Sequence, residues 1–140
     1  MKDYTLNQYA LAYAKKGLAV FPLIPRDKKP ATKHGFKNAT TDFNQIQRWW
    51  DENPQYNVGI ATGRVSNGLV VIDLDLDEDN GKDGYHELKE WEKENGPLPE
   101  TWQTITGRGG YHLFYRTDRI IHNSTNLLPG IDIRGEGGYI

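Results

Sequence analysis

The spacing of apolar positions changes several times along the chain, and each change marks an element. Leu6, Tyr9, Ala10, Tyr13 and Ala14 recur at the i, i+3, i+4, i+7, i+8 spacing of one helix face, predicting a helix over residues 3–16 with Gly17 as its C-cap. Leu18 to Ile24 is an apolar run interrupted by Pro22 and closed by Pro25, as in an edge strand. A second helix is expected after Asp42, with Asp42 and Gln45 as a capping box, Phe43, Ile46 and Trp49 or Trp50 inward, and Asn53-Pro54 as its end. Asn57 to Gly63 reads as a short strand running into a tight turn, where the glycines serve either the turn itself or the close approach of a ligand.

Gly68-Leu69-Val70-Val71-Ile72-Asp73-Leu74-Asp75 is an apolar run that ends in alternating carboxylates, the pattern of a buried central strand. Alternation puts Val71, Asp73 and Asp75 on one face and Val70, Ile72 and Leu74 on the other. A helix over 86–95 follows, with Leu88 and Trp91 inward and Gly96-Pro97 as its stop. Residues 101–106 and 111–116 form a strand pair around the turn Gly107-Arg108-Gly109-Gly110, with His112, Phe114 and Arg116 on one face. Residues 117–130 show no period and read as an irregular connection, and residues 130–134 as a last short strand. These elements predict one α/β (α+β) domain, a mixed β-sheet flanked by helices.

Composition narrows the chemistry. The chain has 140 residues, enough for one cored domain, with a net charge of −2 and no cysteine. Disulfides, zinc–thiolate sites and a cysteine nucleophile are excluded. No stretch is long and apolar enough to span a membrane, so a soluble, cytoplasmic protein is expected. The chain stops at Gly137-Gly138-Tyr139-Ile140, in what reads as a strand just beginning, so a truncated piece of a longer protein is expected. Charge is uneven. From Lys15 to Lys37 the only acid is Asp27, against Lys15, Lys16, Arg26, Lys28, Lys29, Lys33 and Lys37, whereas acids dominate from Asp73 to Glu100. A basic shoulder beside an acidic centre suits a protein that grips a polyanion next to metal ions, although solvated surface gives the same pattern.

Two strand steps put the carbons of Asp73 and Asp75 about 6.5–7 Å apart, close enough for their carboxylates to converge. Crowded carboxylates repel, and a hard divalent cation such as Mg²⁺ or Mn²⁺ removes that cost. A strand end whose acids face water is the simpler reading of this pair alone. The acids of residues 73–84 fail as a calcium loop in every frame, since the required Gly at position 6 and Glu at position 12 never coincide. Arg108 at its glycine-rich turn is a credible phosphate grip. His112 reads either as a satisfied core histidine or as a functional one. Asp132 and Arg134 share a strand face and could simply pair with each other.

Three blocks stand in order: Val71-Ile72-Asp73-Leu74-Asp75, Thr106 to Phe114, and Gly130 to Tyr139. Together with Gly35 to Asp42 and Gly59 to Gly63, they resemble the N-terminal domain of bifunctional DNA primase/polymerases, the prim-pol domain of the archaeo-eukaryotic primase superfamily, across nearly the whole chain. The resemblance implies that residues 1–140 are the prim-pol domain, the N-terminal part of a longer phage, plasmid or prophage replication protein. It implies template-directed, divalent-metal-dependent nucleotidyl transfer. By the same resemblance Asp73, Asp75 and Asp132 hold a two-metal Mg²⁺ or Mn²⁺ site, and His112 contacts the phosphates of the incoming nucleotide. Arg108, His112 and Arg134 are then the candidates for triphosphate oxygens. The implied partners are a single-stranded DNA template, (d)NTPs and a fused or separate replicative helicase. Many relatives carry Asp-x-Glu where this chain has Asp73-x-Asp75. The alternatives are a metal-dependent nuclease on the same carboxylates and a non-catalytic replication module that binds DNA or a partner.

Overall fold

The computed structural model describes residues 4–107 and 109–140. Two layers meet at a cleft. The first is built from helix α1 (Leu6–Lys15), strand β1 (Val20–Leu23), helix α2 (Phe43–Glu52) and strand β2 (Asn57–Ile60), with β1 and β2 antiparallel. The second is a five-stranded sheet of β3 (Leu69–Leu74), β6 (Gln103–Ile105), β7 (Tyr111–Arg116), β8 (Ser124–Leu128) and β9 (Ile131–Arg134), in the order β6-β7-β3-β9-β8. Helix α3 (Gly84–Asn95) covers its far face, preceded by the two-residue strands β4 (Leu76–Asp77) and β5 (Lys82–Asp83).

The α+β class stands, but the named ladders are all antiparallel rather than mixed. The cause is topological. The connection through α3 carries the chain from β3 to β6, two places away, and the returning β7 fills the gap between them. Strand β3 therefore meets only neighbours that run against it.

Alternation along β3 sorts its side chains as expected. Leu69 and Val71 join the core with Ala10, Ala14, Val20, Ile46, Trp50 and Ile60, whereas Leu74 joins Leu88, Leu113 and Ile131 under α3. The face of β3 that meets the first layer ends in Asp73, where the apolar contacts stop and the cleft opens.

Several local expectations are revised. The capping box lies on α1, where Thr5 and Gln8 bond each other's backbone. At α2, Asp42 caps Asn44 alone, because the Gln45 side chain accepts from Arg48 instead. Phe43 and Trp91 are exposed, since Ile46 with Trp50 and Leu88 already close the respective core faces. On α1 only Ala10 and Ala14 are fully buried, and Tyr9 stays 43% exposed. The supposedly irregular 117–130 contains β8. This edge strand pairs with β9 through a bulged ladder around Asn126, at φ 53°, which erases the alternation that would have marked it.

The last residues tie the layers together. Ile140 and Ile60 exchange both backbone hydrogen bonds at 2.9 Å, and the Thr62 hydroxyl donates to the Gly135 carbonyl at 2.6 Å. Thr62 and its neighbouring glycines thus serve the junction. Among the described residues no helix is long and apolar enough to cross a membrane.

Candidate active site

Sheet register builds the site. Asp73 sits directly between His112 on β7 and Asp132 on β9, so three of the candidate side chains form one row across three strands. Arg134 lies one step along the same face, opposite Val71. Asp75 has left the strand. Its N–H donates to the Gly130 carbonyl at 2.7 Å, and its carbonyl accepts from Gly84 at 2.8 Å. This pins Asp75 between the start of β9 and the start of α3. A Cβ on Gly84 would strike the Gly130 carbonyl, so the close approach needs glycine there.

The result is a carboxylate cluster. Asp73, Asp75 and Asp132 each present an oxygen within 4.8 Å of the others. Asp132 is held by the Asn126 N–H at 2.7 Å and by Arg134 Nη2 at 3.2 Å, and that same nitrogen lies 3.9 Å from Asp73. Sequence allowed Asp132 either an ion pair with Arg134 or a place beside Asp73, and the structure has both.

Asp73 is the most enclosed of these groups, its side chain 13% exposed. Its Oδ1 is buried without a hydrogen-bond partner, and His112 Nε2 lies 3.4 Å away, outside hydrogen-bonding geometry. Burial pushes the Asp73 carboxyl up, but the His112 imidazole and the charges of Arg134 and Lys28 outweigh it and hold the group below the usual aspartate value. Asp75 moves the other way. Burial, then repulsion from Asp73 and Asp132, raises it despite Lys28 and Arg134. One acid stabilised as an anion beside another that resists ionising is the signature of too much negative charge in a small space. An orphaned buried oxygen and three hard donors on that scale fit a divalent cation.

The cluster opens into a cleft of about 360 Å³ between the two layers, walled by Lys28, Asn57, His112, Asn123, Arg134 and the Gly137-Gly138 backbone. The cleft is thus acidic at one end and cationic along its sides.

The profile of bifunctional DNA primase/polymerase N-terminal domains, Prim-Pol, matches residues 10–140. The chain belongs to this family. No curated protein matches the chain. The Prim-Pol match runs through both layers and so includes every wall of the cleft.

Of the residues singled out from sequence, the structure brings Asp73, Asp75, His112, Asp132 and Arg134 together, and Arg108 lies outside the described residues. Three contributors to the Prim-Pol cleft escaped sequence reasoning. Lys28 reaches it because Tyr139 Oη donates to the Lys28 carbonyl at 2.9 Å, anchoring the basic loop 111 residues away in sequence. Asn123 presents a buried Oδ1 with no hydrogen-bond partner, hidden from view in the stretch read as irregular. Gly84 positions Asp75 through the backbone alone. Of these, only Lys28 left a sequence signal, as one of the lysines of a basic run that could not be told apart.

Proposed function

We propose that this Prim-Pol domain carries out template-directed nucleotidyl transfer, making and extending primers in DNA replication. The observation that carries the reading is the convergence of Asp73, Asp75 and Asp132 within 4.8 Å, with Asp73 lining a cleft that also carries Lys28, His112 and Arg134. Asp73, Asp75 and Asp132 are assigned to hold Mg²⁺ or Mn²⁺, and two such ions about 3.5–4 Å apart would activate an attacking hydroxyl and steady the triphosphate.

The chain's own groups do the rest. Lys28, His112 and Arg134 face the cleft and are assigned to the phosphate oxygens, with Arg108 added from the glycine-rich turn. His112 also holds Asp73 ionised, keeping that carboxylate ready as a ligand. Arg134 bridges Asp132 and Asp73, so the two side chains stay converged before any ligand arrives. The rigid backing of β3 by β7 and β9 fixes the carboxylate spacing, which in-line transfer requires.

The test is extension of a labelled primer on a DNA template with Mg²⁺ or Mn²⁺ and nucleoside triphosphates. Product longer than the primer, dependent on template sequence and absent with Asp73→Asn, is the expected result. Metal-dependent shortening of the DNA without added nucleotides would replace this reading with that of a nuclease.

A further inference from the structure

The core accounts for only part of the aromatic face of α1: Tyr13 packs against it, whereas Tyr4 and Tyr9 stay exposed. Tyr9 and Tyr13 are stacked, with centroids 6.3 Å apart, and Tyr4 meets Tyr9 edge-on at 5.5 Å. Across from them Trp102 is 77% exposed, with Lys16 Nζ 5.2 Å from its ring centre. Between α1 and the β6–β7 hairpin lies a mainly apolar groove of about 590 Å³, lined among others by Tyr9, Tyr13, Trp102 and Phe114. Its lining includes Lys16 and His112 but no carboxylate, although acids outnumber Lys and Arg in the chain by 19 to 17. The groove shares His112, Asn57 and Val58 with the carboxylate cleft, so the two are one continuous surface.

We infer that this groove takes the unpaired bases of a single-stranded nucleic acid and leads that strand to the carboxylates. The inference rests on the nucleotidyl-transfer reading of the cleft. Three features argue for this occupant. Flat aromatic rings offer stacking partners to any base. Lys16, next to Lys15 at the end of α1, supplies positive charge where a phosphate backbone would pass. Continuity with the cleft gives the strand a destination, which neither a protein segment nor a small apolar ligand would have. This path complements the basic loop at 26–37, which offers lysines but only His34 and Phe36 as aromatic rings.

The test uses the full chain, without nucleotides and with chelator, so that only binding is read. Labelled oligodeoxythymidylate is titrated at fixed salt against wild type, Trp102→Ala and Trp102→Phe, beside a strand of equal length with abasic sites. Trp102→Ala is expected to weaken binding of the base-carrying strand at least about fivefold, with Trp102→Phe recovering most of it. The abasic strand is expected to bind wild type and Trp102→Ala within twofold of each other. Equal affinity of wild type and Trp102→Ala for the base-carrying strand overturns the inference. So does a change of sedimentation mass in Trp102→Ala without a change in strand affinity, which would mean that a second copy covers the groove. The two readings fail separately. Wild type that binds strands through Trp102 yet never incorporates nucleotides contradicts the catalytic reading alone. Active wild type whose strand affinity ignores Trp102 contradicts the groove alone.

Discussion

Asp73 and Asp132 are direct cross-strand partners on β3 and β9, two carboxylates side by side on one sheet face. Like charges in that position are destabilising by a fraction of a kcal/mol to about 1 kcal/mol. Arg134 offsets part of this by touching both, at 3.2 Å and 3.9 Å. One guanidinium does not balance three carboxylates, and burial, then repulsion from Asp73 and Asp132, raises the Asp75 pKa.

Asp75→Asn is therefore expected to stabilise the cation-free protein at neutral pH, by no more than about 1 kcal/mol since the group is exposed. The sign follows from linkage. A carboxyl whose folded pKa is raised costs stability above that pKa, and the cost fades as pH falls through it and is gone only below the unfolded value of 3.8, where both states are protonated. Thermal melts of wild type and variant should converge as the pH is lowered below 3.8. A variant less stable than wild type at neutral pH would contradict the crowding argument.

His112→Ala tests the neighbour of Asp73. Losing a charge-assisted contact to the triphosphate worth about 1.5–3 kcal/mol predicts a roughly tenfold to hundredfold loss in nucleotide use, with template affinity falling less. Asp73 should titrate higher in this variant, because His112 is a leading cause of its lowered pKa. The stability that Asp73 supplies above its unfolded pKa, lost as pH falls through the lowered folded value, should shrink accordingly. Unfolding without a separate defect in nucleotide use would make His112 a core residue only.

Gly84→Ala tests positioning without touching a carboxylate. The new Cβ would collide with the Gly130 carbonyl and lie 3.0 Å from the Asp75 nitrogen, so backbone must move. Overpacking of this kind costs about 1–3 kcal/mol. Activity per folded molecule should fall as Asp75 is displaced, read by primer extension alongside a denaturant melt. Full activity would show that the backbone clamp on Asp75 is dispensable.

These side chains were legible to different degrees, for physical reasons. The apolar run of β3 and the strict alternation of β7 announced both strands, and β7 has the expected bounds of Tyr111–Arg116. Facing was also legible, since period two sets which residues share a side. Register was not. That His112, Asp73 and Asp132 fall in one row depends on pairing between residues 39 and 59 positions apart in sequence, which no local pattern encodes. Strand β8 was illegible because edge strands carry polar residues and its bulge breaks alternation. Tyr9 fitted a buried helix face by spacing, yet the groove beside α1 leaves it exposed. Lys28 and Asn123 reach the cleft through long-range contacts, with Tyr139 and with the Gly135–Gly138 turn, that spacing cannot foresee.

The most direct measurement is template-dependent primer extension by wild type, Asp73→Asn, Asp132→Asn and the double variant, with and without Mg²⁺ or Mn²⁺. If the carboxylates act as one unit, each single variant loses incorporation, and the double variant is no worse than either. Wild type without a divalent cation should match them. Incorporation by Asp73→Asn at the wild-type rate would contradict the account, since Asp73 is central to the proposed carboxylate site.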